Sequence, residues 1–279
     1  MAETDTLERT SAEHDGEGPD EAALSAELGD STWKKVLHYA GMPVFVAVVV
    51  VLLFLYVQGQ ELDSVAQRSL TRKALQDATL RHIQLTVLST IGVLLTAVLL
   101  GIVATRPRAR RIAPFVSGLG NAGQAIPSLG MLAVLFLVFF EVPSLPSTGL
   151  VPVVAALIAY SFLPILRNTV VGLEQVDASV LEAGRGMGMN NGRILRRIEL
   201  PLAVPVILAG VRTALVLNVG TAALAFLFGG GGLGGIIFSG FQLQRTPVMV
   251  TGAVLTAVLA LLIDYLGGLA EEFLSPKGL

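Results

Sequence analysis

Long apolar stretches without charged side chains recur along the chain. Two of them, Val36–Val57 and Ile83–Ala104, are each 22 residues long. As α-helices they would measure about 33 Å, which matches the hydrocarbon core of a bilayer. Four further apolar stretches follow in the order Ile112–Val142, Val151–Leu166, Val204–Phe228 and Pro247–Leu266. The pattern predicts an all-α integral membrane protein with about six transmembrane helices.

The third stretch differs from the others because it is too long for one straight transmembrane helix. It has 31 residues, and its single charged side chain, Glu141, lies near the end. Pro127 lies near the middle, where a proline removes a backbone hydrogen-bond donor and clashes with the preceding turn. We therefore expect a kinked or broken helix at this point. We also expect the fourth stretch to extend past Arg167.

Lysines and arginines between the stretches indicate the orientation, because cytoplasmic links carry an excess of them. Two links hold clusters, formed by Arg106, Arg108, Arg110 and Arg111 and by Arg167, Arg185, Arg193, Arg196 and Arg197. The link 141–150 has no basic residue, and 229–246 has only Arg245. This alternation predicts a multi-pass protein of the plasma or inner membrane with both termini in the cytoplasm. Segment 58–82 would lie outside, where we expect a short surface helix.

The composition agrees with a membrane protein and adds one asymmetry. Hydrophobic residues make up 53% and charged residues 14%, against about 25% charged in soluble domains, and the mean hydropathy is +0.72. The net charge of −2 combines −9 in residues 1–30 with +7 in the rest of the chain. Because residues 1–32 contain few apolar side chains, we expect them to form a disordered, acidic cytoplasmic tail. The absence of cysteine excludes disulfides, thiolate metal sites and a cysteine nucleophile.

Few residues offer chemistry of other kinds. The three histidines, His14, His38 and His82, are scattered without metal-ligand spacing, so we expect no metal site. The glycine-rich run Gly229–Gly235 is not followed by Lys-Ser or Lys-Thr and is not a nucleotide-binding P-loop. It is consistent with a flexible external gate, a docking site or a tight turn. Enzymatic activity and ATP hydrolysis by this chain are therefore not expected.

Two charged residues, Arg212 and Asp264, lie within predicted transmembrane helices. Charges at this depth are unfavourable, and they either pair with one another or serve in transport. The sequence leaves open an interhelical ion pair and a proton relay. Two such residues are few for an ion-coupled secondary transporter, which remains an alternative function.

The longest polar link, between the fourth and fifth stretches, predicts two short helices joined by a turn. Ser179 and Glu182 have the spacing of a capping box, with Asp177 as an alternative cap. A second helix follows over Arg193–Glu199 and would end at Pro201. Such a compact projection is either a docking site for another protein or an ordinary amphipathic loop.

The same link carries a spaced motif. Its members are Glu182, Ala183, Gly184, Gly188, Ile198, Leu200 and Pro201. They resemble the E-A-A-x3-G-x9-I-x-L-P motif of permease subunits of ABC importers, with Gly184 in place of the second alanine. In that family the segment is a coupling helix that docks into a cleft of the ATPase subunit. The resemblance implies that these residues contact an ABC ATPase, which binds ATP-Mg in place of this chain.

Other parts of the chain are similar to permeases of osmoprotectant importers, which carry glycine betaine, choline and carnitine. They are Gln124–Leu129, Tyr160–Thr169, Glu182–Met189, Gly230–Gly234 and Leu274–Leu279. The resemblance covers roughly residues 80–279. It implies a type I ABC-importer permease core of five helices over 83–279, with a coupling segment at 177–203. The span and external segment within 33–82 would be an addition.

The resemblance also implies partners and a path for solute. Expected partners are the ABC ATPase, an extracytoplasmic solute-binding protein, a second permease subunit (identical or a paralogue) and the lipid bilayer, with no nucleic acid and no cofactor in this chain. Aromatic faces recognise quaternary amines, and broken helices often form transporter sites. The candidate path residues are Gln124, Pro127, Ser128, Tyr160 and Asn168. A permease for another small solute, such as an amino acid, is the alternative.

Overall fold

The computed structural model describes residues 19–106, 109, 114, 115, 118, 121 and 125–274, with side chains from Tyr39 onward. Regular structure within these residues is helical, as expected. The α-helices are α1 (Pro19–Gln58), α2 (Ser64–Ser69), α3 (Arg72–Ala104), α4 (Ser128–Glu141), α5 (Leu150–Glu174), α6 (Ala178–Gly186), α7 (Asn191–Ile194), α8 (Leu200–Ala222), α9 (Leu233–Gln242) and α10 (Thr246–Leu274). A π-helical turn over Leu195–Glu199 joins α7 to α8, and a 3-10 turn over Ala225–Phe228 follows α8.

Five helical stretches of the described chain are long and apolar enough to cross a membrane. They are Tyr39–Gln58, Arg72–Ala104, Leu150–Glu174, Asn191–Ala222 and Thr246–Leu274. The third predicted stretch is represented by the shorter α4, whose 14 residues begin directly after Pro127. Pro127 has an extended backbone (φ −53°, ψ 143°), so the expected break in the helix is present. Most residues from 107 to 124 lie outside the described part of the chain.

Some helix ends lie beyond the apolar stretches and follow capping side chains. α3 begins before its apolar stretch, because the hydroxyl oxygen of Thr71 accepts the N–H of Ala74 at 3.3 Å. Segment 58–82, where one short helix was expected from the spacing of Asp77 and Arg81, holds the six-residue α2, and these two residues belong to the start of α3. The short helix here is therefore α2. It is capped by Asp63, whose Oδ1 accepts the N–H of Ala66 at 2.8 Å. The residues at which these two helices begin are therefore determined by the capping side chains, and not by where the apolar stretches begin.

The fifth apolar stretch is not one helix to its end. α8 stops at Ala222, and the stretch finishes as the 3-10 turn, followed by Gly229 at a φ of 75°. Glycine adopts this left-handed backbone without the steric cost that other residues meet, so the chain can turn sharply there. The predicted helix over Val204–Phe228 is therefore shorter at this end than expected.

Helix α1 begins at Pro19 and so includes residues 19–32, which the composition predicted to be disordered. Proline is favourable in the first turn of a helix, and the alanines, leucines and glutamates that follow have high helix propensity. Residues 1–18 of the predicted tail lie outside the described residues. By their contacts, Met1–Phe45 and Val46–Leu279 form two units, and the elements discussed below belong to the second.

Helices α3, α5 and α8 pack closely because glycines stand where their backbones meet. A Cβ on Gly101 of α3 would lie 2.6 Å from Cγ2 of Thr169 in α5. One on Gly210 of α8 would lie 2.8 Å from Cβ of Asn168, also in α5. Small residues at such crossings let transmembrane helices approach each other. Helices α9 and α10 form a hairpin that is packed in the same manner.

Candidate functional site

Segment 177–203 forms a compact projection of two short helices at one end of the bundle. α6 begins after Asp177, whose Oδ1 accepts the N–H of Ser179 at 2.8 Å. Of the two caps considered from the sequence, Asp177 is therefore the one that starts the helix. The same N–H, followed by the Ser179 hydroxyl, lowers the pKa of Asp177 below its ordinary value. The carboxylate thus stays ionised at the positive end of the α6 dipole.

Gly188 follows α6 in a left-handed conformation, with a φ of 77°. Its N–H donates to the carbonyl of Arg185 at 2.9 Å, and the N–H of Met189 donates to the carbonyl of Gly184 at 3.1 Å. This pair of hydrogen bonds is a Schellman motif, which strongly favours glycine. The second glycine of the spaced motif therefore has a local structural reason that the spacing alone does not reveal.

The second helix of the projection continues into a membrane helix without a break. α7 begins after Asn190, whose Oδ1 accepts the N–H of Arg193 at 2.9 Å. The π-helical turn Leu195–Glu199 then leads directly into α8, with Pro201 in its first turn. Proline has no N–H to donate, and Pro201 lies just after the π turn, where the α-helical hydrogen-bond ladder is already interrupted. The prediction that Pro201 ends a helix is therefore wrong.

The motif residues divide into an interior group and a surface group. Gly184 is buried, and a Cβ there would lie 2.9 Å from Cδ1 of Ile198. Gly184 therefore lets α6 pack on the π turn, with the half-buried Ile198 in the contact. Leu200 is also half-buried, and the exposed members are Glu182, Ala183, Gly188 and Pro201. Met187 lies among them and is 70% exposed, although the motif does not include it.

An ion pair that was not predicted joins the π turn to the end of α3. Arg106 donates to both carboxylate oxygens of Glu199, at 3.3 Å and 2.7 Å. Glu199 is only 8% exposed, and Arg106 supplies the hydrogen-bond donors that water would otherwise offer to its carboxylate. One feature of the sequence points weakly to an ion pair at Glu199, because it is the single acidic residue between Glu182 and Asp264. Its partner lies 93 residues away, and nothing in the spacing points to it.

Three arginines of the projection line an open groove of about 640 Å³, together with Asn190 and Gly192. They are Arg193, Arg196 and Arg197. These side chains belong to the cluster from which the orientation was predicted. The groove therefore presents positive charge within segment 177–203, and its potential suits an acidic surface.

The candidate path residues lie on two helices. Pro127 precedes α4 and Ser128 is its first residue, whereas Tyr160 and Asn168 lie on α5. Tyr160 and Asn168 are both half-buried. Asn168 packs against α8 at a close helix crossing, so it contributes to helix packing whatever else it does. Gln124 lies outside the residues that the structure describes.

At the opposite end of α3, the glycine-rich run forms a hydrogen-bonded turn. Arg81 donates from Nε to the carbonyl of Gly230 at 2.8 Å. The His82 ring contacts two helix ends, with Nε2 2.9 Å from the carbonyl oxygen of Val219 and Nδ1 3.3 Å from the nitrogen of Leu233. A carbonyl only accepts and an amide N–H only donates, so the neutral ring carries its proton on Nε2. Residues 229–232 of the run form a tight turn, and residues 233–235 begin α9.

Arg212 and Asp264 form an ion pair between α8 and α10. The guanidinium donates from Nε at 2.6 Å and from a terminal nitrogen at 2.7 Å to the two carboxylate oxygens. A Cβ on Gly268 would lie 3.4 Å from the guanidinium, so this glycine leaves room for it. Of the two alternatives, the structure shows the interhelical pair. Within the described ranges, no three His, Asp or Glu side chains form a group that could hold a metal ion.

Most of the chain matches a known family. Residues 97–276 match the family described as binding-protein-dependent transport system inner membrane component. The chain belongs to this family. Its members are membrane components of transport systems, so the chain is a multi-pass transport subunit and not an enzyme. The predicted permease core is thereby confirmed.

Relatives extend the likeness along the chain. The choline transport system permease protein OpuBB of Bacillus subtilis is 43% identical over 201 residues, which are 72% of this chain and 88% of that protein. The osmoprotectant import permease protein OsmY of Salmonella typhimurium is 38% identical over 232 residues, which are 83% of this chain and 94% of that protein. The resemblance to permeases of osmoprotectant importers is confirmed.

A solved structure shares the fold. A chain of the MetNI methionine ABC transporter, in an inward-facing conformation, superposes with a TM-score of 0.64 at 24% sequence identity. The match covers 72% of this chain and 96% of that chain. At this identity the likeness concerns the fold alone, and it supports the five-helix core predicted for a type I ABC importer.

Proposed function

We propose that this chain is the permease subunit of an ATP-driven importer of quaternary-amine osmoprotectants, such as glycine betaine, choline or carnitine. The observation that carries the proposal is the 43% identity to a choline transport system permease over 88% of that protein. A carnitine transport permease of Listeria monocytogenes is 42% identical over 84% of its length. Several relatives therefore point to the same class of cationic or zwitterionic solute.

The proposal also orients the bundle. The arginine-rich end, with segment 177–203, would face the cytoplasm, and both termini would lie on that side of the inner membrane. Segment 177–203 would then be the coupling segment for an ABC ATPase, which binds ATP-Mg. An extracytoplasmic solute-binding protein would deliver solute at the opposite end, and a second permease subunit would complete the path.

The motif residues would divide their work in this proposal. The exposed Glu182, Ala183 and Gly188 would touch the ATPase, and the arginine groove of the same segment would present it with positive charge. Gly184 and Ile198 would shape the surface from within, because they hold α6 against the π turn. Leu200 and Pro201 would form the base of the coupling segment, where it enters α8.

For the solute path, the proposal keeps Gln124, Pro127, Ser128, Tyr160 and Asn168. The half-buried ring of Tyr160 can present its face to a methylated ammonium group, which has no N–H to donate. The helix break at Pro127 interrupts the backbone ladder beside Ser128 and so leaves polar groups for a solute.

The substrate class is tested by uptake in liposomes that contain the complete complex. Radiolabelled glycine betaine, choline, carnitine and proline are offered separately, with and without ATP. We expect ATP-dependent uptake of one or more of the three quaternary amines, and weaker uptake of proline. ATP-dependent uptake of amino acids alone would contradict the substrate class while leaving the permease assignment in place.

The docking surface is tested at Gly188. No atom lies within 4 Å of a Cβ at this position, so a larger side chain would project into open space. Gly188→Asn is the matched control, because asparagine tolerates the left-handed backbone and adds little bulk. We expect Gly188→Trp to prevent copurification of the ATPase and to abolish uptake, whereas Gly188→Asn retains both. A tryptophan variant that still binds the ATPase and transports would contradict docking at this surface.

A further inference from the structure

Helix α3 makes hydrogen-bonded contacts with both ends of the bundle. We propose that the Arg106–Glu199 ion pair transmits movement of the coupling segment to α3, and that α3 carries it to the glycine turn at the opposite end. Arg106 and Glu199 are then positioning residues of the transport cycle. This role rests on the proposed function, because it requires an ATPase that moves the coupling segment.

The ion pair fixes the π turn and α3 in one relative position. Arg106 follows the last turn of α3, and its Nε donates to the carbonyl of Ile102 at 3.2 Å. The guanidinium is therefore held on α3 while its two terminal nitrogens bind both oxygens of Glu199. Two charge-assisted hydrogen bonds define an orientation as well as a distance. The apolar contacts around them lack this directionality.

Glu199 is joined directly to the coupling segment. It is the last residue of the π turn, and the preceding residue, Ile198, packs on Gly184 of α6. A displacement of α6 therefore reaches Glu199 through the π turn. Because Glu199 is nearly buried, separation from Arg106 would leave an unpaired charge away from water, which is strongly unfavourable. The pair therefore moves as a unit.

Toward its other end, in its third turn, α3 is held by the glycine turn. Arg81 donates to the carbonyl of Gly230, and the next residue, His82, accepts the N–H of Leu233. The helix between these contacts and the Arg106–Glu199 pair runs from residue 81 to residue 104, which is 24 residues or about 36 Å. A stiff helix that is bonded at both ends can transfer a shift of one end to the other. The glycine turn is therefore the element that responds to the coupling segment.

The experiment compares uptake with ATP hydrolysis in the complete complex, reconstituted with the ATPase and the solute-binding protein. Glu199→Gln keeps the shape of the side chain and removes its charge. We expect bound ATPase and hydrolysis rate to remain near wild type, while the solute imported per ATP hydrolysed falls by about tenfold or more. Arg106→Lys should give an intermediate ratio, because lysine keeps the charge but not the two-pronged contact.

Rescue and control variants separate transmission from simple loss of structure. The exchanged pair, Arg106→Glu with Glu199→Arg, should recover most of the import ratio. Arg245→Gln is the matched control, since it breaks the exposed pair with Asp63 at the opposite end and should leave the ratio unchanged. If Glu199→Gln lowers hydrolysis and uptake in the same proportion, the pair is merely structural and the proposal is overturned. Unchanged uptake would overturn it as well.

A distance measurement reads the movement directly. The chain contains no cysteine, so spin labels can be attached through Leu80→Cys on α3 and Phe241→Cys on α9, both at exposed positions. ATP should change the distance between the labels in the wild-type background and not in Glu199→Gln. A change that persists in Glu199→Gln would overturn the proposal. If the wild-type chain binds no ATPase, the proposed function itself is refuted. If the complex is active and Glu199→Gln changes neither import nor the distance, only the role of the ion pair is refuted.

Discussion

The imidazole of His82 joins the ends of two helices, and its replacement should destabilise the bundle. Val219 lies in the last turn of α8, and the N–H of Ala223 donates to Gly220 instead of to Val219. The ring supplies the missing donor. Leu233 begins α9, where its N–H has no partner within the helix, and the ring accepts it. His82 is fully buried, so water cannot replace either contact.

The expected loss of stability follows from the number of groups left without a partner. His82→Leu roughly keeps the side-chain volume and removes both hydrogen bonds. Each buried polar group without a partner costs about 1–3 kcal/mol, so the leucine variant should lose about 2–6 kcal/mol. His82→Asn keeps an acceptor near the position of Nδ1, and His82→Gln keeps a donor near that of Nε2. Each of these should lose about half as much.

The assay is unfolding of the purified chain by a denaturing detergent, followed by circular dichroism in the far ultraviolet. We expect the wild type to be the most stable, the asparagine and glutamine variants to be intermediate, and the leucine variant to be the least stable. A leucine variant within about 0.5 kcal/mol of wild type would refute the reasoning. Asparagine and glutamine variants as unstable as the leucine variant would show that volume, and not hydrogen bonding, decides the effect.

Two further predictions concern the opposite end of the bundle. In Gly234→Ala the new Cβ would overlap the carbonyl oxygen of Ala223, so the yield of folded protein should fall. Gly235→Ala is the control and should be tolerated, because no atom lies nearer than 3.7 Å to its new Cβ. Equal yields of the two variants would contradict this prediction. The pKa of Asp63 is lowered, first by the backbone N–H of Ala66 at the start of α2 and then by Arg245. The ionised carboxylate therefore stabilises the folded protein fully above the usual pKa of 3.8, and this contribution is lost as the pH falls through the lower folded-state pKa. Thermal unfolding of Asp63→Asn should therefore vary less with pH in that acidic range than unfolding of the wild type, and identical profiles would count against the assignment.

The membrane helices could be predicted because lipid imposes one requirement along the whole span. A helix surrounded by hydrocarbon needs apolar side chains over a length set by the bilayer, and that requirement is visible in a linear sequence. The ends outside the apolar stretches obey a different rule. α3 begins where Thr71 caps it, and α2 begins where Asp63 caps it, and such caps compete with many similar residues nearby.

The spaced motif could be found because its members lie within one local segment. Gly184 permits packing against Ile198, and Gly188 ends α6, so each glycine has its own structural role. The physical reason for each glycine is known only from the three-dimensional structure. The left-handed φ of Gly188 and the burial of Gly184 cannot be read from the amino-acid sequence. The spacing therefore predicted a set of residues, and the structure shows how their positions differ.

The sequence by itself determined that the chain is a helical membrane protein, where its apolar spans lie and which segment resembles a coupling helix. These properties depend on the chemistry of neighbouring residues. Only the tertiary structure decided that Arg106 meets Glu199 and that His82 meets Leu233, across 93 and 151 residues. Pairings of this kind depend on which helices pack together, because a charge or a ring selects its partner only after folding has brought the two within hydrogen-bond distance.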